Sequence, residues 1–173
     1  MSQIDESVEL SVGRTDWAQL FTEEREKLHQ VLPEEAVIEH IGSTAVPGMV
    51  AKPVIDIMVG VPASLPGGTD LPPLSSLGYE PLGEAGVPGR LYFRKRGQEH
   101  FNVHLVVRGG DHWQNNLLLR DYLCRNPQEA QAYSHCKQAI LEAGVSTLLS
   151  YSERKGPFVQ RLLERARRAT RSS

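Results

Sequence analysis

Residues 36–61 read AVIEHIGSTAVPGMVAKPVIDIMVGV, two apolar runs separated by a Gly-Ser turn, a lysine and a proline. The first run, Ala36-Val37-Ile38-Glu39-His40-Ile41, has strand composition and stops at Gly42-Ser43. The second, Pro53 to Val61, is β-branched and apolar enough to be a buried strand. One charge, Asp56, interrupts it. A carboxylate inside such a strand is unfavourable unless it finds a donor, a partner or a metal. Asp56 is therefore the first candidate for chemistry.

Outward from this block the chain alternates between helical and strand patterns. Upstream, Val8 to Val12 alternates and predicts a short edge strand. Asp16, with Gln19 placed for a capping box, starts a helix whose Trp17, Leu20, Phe21, Leu28, Val31 and Leu32 share one face, and Pro33 ends it. Downstream, the prolines and glycines of 62–73 predict a loop before a short helix at 74–77. Strands are predicted at 79–82, 91–96 and 101–107, with a Gly/Pro loop at 83–89. From Asp111 the pattern turns helical, one helix to about Arg125 and a second from Asn126-Pro127 with Glu129 closing a capping box. Ala143-Gly144 ends the second, and a last amphipathic helix is predicted from about Pro157 to Ala169. The order predicts an α+β domain, 1–173, with a sheet core at about 8–107 and a helical part at about 111–171, the sheet covered mainly on one face.

With 19 basic and 21 acidic residues the net charge is −2, so no global field draws the chain to nucleic acid or membrane. The arginines at 161, 165, 167, 168 and 171 read as a solvated helix face rather than a nucleic-acid strip. No apolar run approaches a membrane span, and Met1 to Ser7 lacks a signal-peptide pattern, so a cytoplasmic setting is expected. In that compartment Cys124 and Cys136 are expected as free thiols on two successive helices.

Gly42-Ser43, twelve intervening residues and Asp56-Ile57 resemble the nucleotidyltransferase superfamily signature, a strand ending in Gly-Ser and a second carrying Asp-hydrophobic-Asp. The wording HIGSTAVPG…AKPVIDI is more specific and is similar to the GrpB-like family. Trp17 with Phe21, Asn102 to Val106, Leu118 to Leu123, and Tyr151, Lys155 and Phe158 resemble further blocks of that family, in order, over about residues 8–165. The resemblance implies a nucleotidyltransferase-like mixed β-sheet core with an N-terminal helix and a C-terminal helical bundle. It also implies binding of a nucleoside triphosphate and transfer of a nucleotidyl group with Mg²⁺, or alternatively Mn²⁺, to an acceptor that the sequence does not name.

One departure bears on that activity. Met58 stands where the superfamily has its second carboxylate. Side chains two apart on a strand share a face, so Asp-x-Asp can hold two ions side by side, whereas methionine offers a hard cation nothing. In the expected site, Gly42 and Ser43 cradle phosphates, Lys52 supplies a point charge, and Arg120 and Lys155 enter from the family blocks. Asp56 and His104 are the expected catalytic and metal-binding residues, with Asn102 on the face of His104. Glu39 and Glu99 are the carboxylates that could join Asp56, and Gly156-Pro157 is expected to break the helix beside Lys155. The alternatives are a non-catalytic nucleotide-binding or regulatory module and a structural interaction domain.

Overall fold

The apolar run 54–61 becomes an interior strand of a five-stranded mixed sheet. The computed structural model describes residues 5–11, 14–63 and 74–171. Its strands are β1 (Val37–Ile41), β2 (Val54–Val61), β3 (Glu80–Pro81), β4 (Leu91–Arg96) and β5 (His100–Val107). They lie in the order β1-β2-β5-β4-β3, with β2 parallel to β5 and the other pairs antiparallel. The helices are α1 (Trp17–His29), α2 (Asp111–Arg125), α3 (Pro127–Glu142) and α4 (Leu148–Arg171). The expected α+β order, with a sheet core, one helix before it and three after, is present.

Period-two alternation on β2 and β5 sorts the two faces of the sheet. Ile55, Ile57, Val59 and Val61, with Phe101, Val103 and Leu105, pack with Trp17, Phe21 and Leu28 of α1. On the other face Met58 and Val106 pack with Ile41 beneath Trp113 of α2. The sheet is therefore covered on both faces, not mainly on one. The second face carries fewer apolar residues because Asp56, Asn102 and His104 occupy it, and α2 closes only the end around Met58 and Gly60. Trp113 lies so close over Gly60 that an added Cβ would stand 2.4 Å from its ring. Helices α3 and α4 then pack on α2 around Leu123, Tyr133 and Leu162, and leave a cleft over the Asp56 end of the sheet.

Several local expectations change. Residues 5–11 form no edge strand. Ser7 and Ser11 make isolated bridges to Thr147 and Ala51, so the segment straps the start of α4 to the loop before β2; Val12 lies outside the described residues, as do positions 64–73 of the expected loop. Neither capping box forms. Asp16 accepts from Arg14, and Gln19 donates to Glu23. Asn126 donates back to the Tyr122 carbonyl, and Glu129 pairs with Arg165. In both places competing partners, local ones at Asp16, Gln19 and Asn126 and the distant Arg165 at Glu129, take the groups that a cap would use.

The last helix starts at Leu148, nine residues before the expected Pro157, and runs through Gly156-Pro157 unbroken. An interior proline costs about 3 kcal/mol. Tyr151 on one side of it and Leu162, Leu163 and Ala166 on the other are buried, and each large apolar side chain contributes roughly 1.5–3 kcal/mol. Packing wins, and Lys155 is fixed on a regular helix. Among the described residues no helix is long and apolar enough to cross a membrane, and Cys124 and Cys136 are free thiols.

Candidate functional site

Gly42 follows β1 at φ 72°, and an added Cβ there would stand 2.8 Å from Oδ2 of Asp56. Glycine is needed both for the left-handed backbone and for the close approach of the carboxylate. Ser43 to Ala45 then make one tight 3₁₀ turn. His40 closes it from behind, with Nε2 2.8 Å from Oγ1 of Thr44 and its ring stacked on Phe21. Burial pushes the His40 imidazole down to about 4, with Arg120 adding to the effect and Asp56 opposing it. His40 thus serves the turn as a neutral ring.

Asp56 sits on the cleft floor opposite Asn102 in the parallel β2–β5 pairing. Its Oδ1 accepts from Asn102 Nδ2 and His104 Nε2, both at 3.0 Å. Burial by itself raises this carboxyl; the His104 hydrogen bond, Lys52 and the Asn102 amide outweigh it and hold Asp56 well below the usual carboxylate range. Nε2 of His104 therefore carries the proton that Asp56 accepts, and Nδ1 faces the Arg90 guanidinium at 3.4 Å. Both ring nitrogens are engaged.

Three lysines enter the cleft from three elements. Lys52 comes from the loop before β2, Lys137 from α3 and Lys155 from α4. Lys137 is 2% exposed; its Nζ donates to Ser43 Oγ at 2.9 Å and to the Val50 carbonyl, over the Tyr133 ring. Lys155 lies over the ring of Tyr151. Burial lowers all three ammonium groups, Lys137 to about 7 and Lys52 to about 8, and Lys155 deepens both shifts by repulsion. Among the described residues none of the three makes an ion pair. Arg120 also lines the cleft, but its guanidinium is already held by Glu39 at 2.7 Å and Asp121 at 2.8 Å. Adjacent residues on a helix point in different directions; the long arginine folds back to reach its neighbour.

These residues do not fit a pair of divalent ions. Among the described residues Asp56 is the one carboxylate of the cleft lining. Met58 is fully buried under Trp113, so the second carboxylate position is walled off from the cleft. Glu39 is committed to Arg120 and Glu99 to Arg14. Among the described residues no group of three or more His, Cys, Asp or Glu could hold a metal. To become a ligand His104 would have to give up a partner, Asp56 at Nε2 or Arg90 at Nδ1.

The model of the GrpB protein family matches residues 7–165. The chain belongs to the GrpB family. It is 40% identical over 153 residues to a UPF0157 protein of Deinococcus radiodurans, covering 87% of this chain and 77% of that one. It is 34% identical to the UPF0157 protein YqkA of Bacillus subtilis over 93% of this chain, and spans only 48% of that relative's length. The crystal structure of the conserved protein GrpB from Enterococcus faecalis superposes with a TM-score of 0.77 at 31% identity, covering 91% of this chain and 96% of that one. The Cid1 poly(U) polymerase matches at TM-score 0.48 and 13% identity, a likeness too slight to carry an argument.

In this GrpB-family cleft the structure brings together Gly42, Ser43, Lys52, Asp56, His104, Arg120 and Lys155, all singled out from sequence. It adds Lys137 and Arg90. Lys137 had a legible signal, because Ala130, Tyr133, Ser134 and Lys137 are spaced i, i+3, i+4 and i+7, which puts a lysine on the buried stripe of α3. Arg90 had none. It reaches the cleft because its guanidinium donates to the Glu84 and Ala85 carbonyls and stacks on Tyr92.

Proposed function

We propose that this GrpB-family protein binds a nucleoside triphosphate in the cleft between the sheet and α3–α4. The observation that supports this reading is that Lys52, Lys137 and Lys155, without ion-pair partners of their own among the described residues, line one cleft with the Gly42-Ser43 turn, where Lys137 donates to Ser43. Buried like charges repel each other and lose hydration, so such a cluster is built for a multivalent anion that neutralises it on arrival. The cavity, about 430 Å³, falls in the range of small-molecule sites. Ser43 and the three ammonium groups take the phosphates. Asp56 and His104 form the floor, and the apolar side chains of Leu119, Tyr133 and Val159 offer surface to a base or sugar.

Nucleotidyl transfer with Mg²⁺ or Mn²⁺ is the second reading. The placement of Asp56 against the Gly42 turn favours it; the single carboxylate and the engaged His104 do not. Thermal-shift titration with the four ribonucleoside triphosphates tests the binding proposal. At a hundredfold excess over Kd a ligand adds about 2.7 kcal/mol of stability. No shift with any of the four at millimolar concentration refutes it.

A further inference from the structure

Among the described residues five cationic side chains line the cleft, Lys52, Arg90, Arg120, Lys137 and Lys155, against one carboxylate, Asp56. Glu39 and Asp121 neutralise Arg120 from outside the lining. That leaves three ammonium groups and the Arg90 guanidinium facing a single negative charge. A site that receives a metal–triphosphate complex needs the reverse arrangement, with clustered hard oxygen donors facing the ion.

We infer that the cleft takes its polyphosphate without a divalent ion, the ammonium groups of Lys52, Lys137 and Lys155 neutralising the charge that Mg²⁺ would otherwise carry. The inference rests on the proposed phosphate site and concerns only the form of ligand that enters it. Three features act in the same direction. Met58 leaves Asp56 without a second carboxylate on the strand, and Trp113 covers that position. His104 uses Nε2 on Asp56 and turns Nδ1 to Arg90, so a cation approaching Nδ1 meets a guanidinium. Lys137 and Lys155 approach from α3 and α4, elements separate from the strand that carries Asp56, and Lys52 from the loop before that strand. An uncomplexed triphosphate carries about twice the charge of its Mg²⁺ complex, and is attracted correspondingly more strongly by fixed cations in a cleft of low dielectric. Asp56 then holds His104 and Asn102 in place, and its own charge opposes the ligand.

Isothermal titration of the full chain with ATP and with inorganic tripolyphosphate, first in EDTA and then with excess Mg²⁺, tests this. The expected result is binding in EDTA that weakens by about threefold or more when Mg²⁺ complexes the ligand. Tighter binding with Mg²⁺, or binding seen only with Mg²⁺, overturns the inference while leaving the nucleotide reading intact. No binding of ATP in either condition removes the nucleotide reading and the inference with it. Equal affinity for ATP and tripolyphosphate identifies the polyphosphate as the whole of the recognised group; tighter ATP adds the nucleoside. Lys155→Met, at a half-buried position, should weaken binding in EDTA by about tenfold or more, and unchanged affinity in that variant also overturns the inference.

Discussion

Replacing Lys137 by methionine should make the ligand-free protein more stable near neutral pH while impairing anion binding. Lys137 is 2% exposed, and burial with repulsion from Lys155 and Lys52 brings its ammonium from 10.5 to about 7. At about 1.4 kcal/mol per pH unit, holding a proton there in the folded state costs roughly 4–5 kcal/mol. Methionine removes that charge at similar length. It also strands the Val50 carbonyl, for about 1–3 kcal/mol, while the Ser43 hydroxyl stays open to the cleft. The variant should therefore gain roughly 1–3 kcal/mol at pH 6.5. The difference must depend on pH with a definite sign. Between about 7 and 10.5 the folded chain has released a proton that the unfolded chain keeps, so wild-type stability rises with pH relative to the variant. The gap should close by up to about 1.4 kcal/mol per unit over that window. Equilibrium urea denaturation of both proteins from pH 6.5 to 9.5 reads this directly. A variant less stable at pH 6.5, or a gap that does not move with pH, would show that Lys137 is a structural anchor and refute the uncompensated-charge argument.

Asp56→Asn should lose about 2 kcal/mol of stability, because the neutral amide oxygen removes the charge that strengthens both hydrogen bonds to Oδ1. Since the folded carboxyl lies below its ordinary value, this contribution is present above about pH 4 and fades as pH falls below it; urea midpoints at pH 7 and pH 3 check it, and an unchanged midpoint at pH 7 contradicts it. Gly60→Ala should lose about 1–3 kcal/mol, as the new methyl meets the Trp113 ring and pushes α2 off the sheet; a red-shifted tryptophan emission at low denaturant would accompany it, and a neutral effect would mean that α2 yields freely.

The sequence by itself determined the elements and the floor of the cleft. Alternation along 37–41, 54–61 and 100–107 is local, and it sorts Asp56, Met58, Asn102 and His104 onto one face wherever the strands end up. Gly42 was legible for the same reason, since a Gly-Ser pair ending an apolar run marks a turn, although the demand for glycine comes from Asp56 fourteen residues away. The helix ends were less legible. Capping groups at Asp16, Asn126 and Glu129 look local in sequence, yet each found a distant or competing partner once the chain was packed. Pro157 misled for a related reason: helix propensity is a per-residue effect of a few kcal/mol, and the burial of Tyr151 and Leu162 is a property of the whole bundle.

Only the tertiary structure decided the character of the cleft. Lysines 52, 137 and 155 are separated by 85 and 18 residues in sequence, and nothing local brings their charges together. Packing of α3 and α4 on α2 does so, and only then do three cations share one cleft, the feature on which the proposed anion site rests. The same packing spends Glu39 on Arg120 and hides Met58 under Trp113. A strand fixes which side of the sheet a residue faces. Whether that residue meets a cation, a carboxylate or a tryptophan depends on long-range contacts that a one-dimensional pattern does not encode.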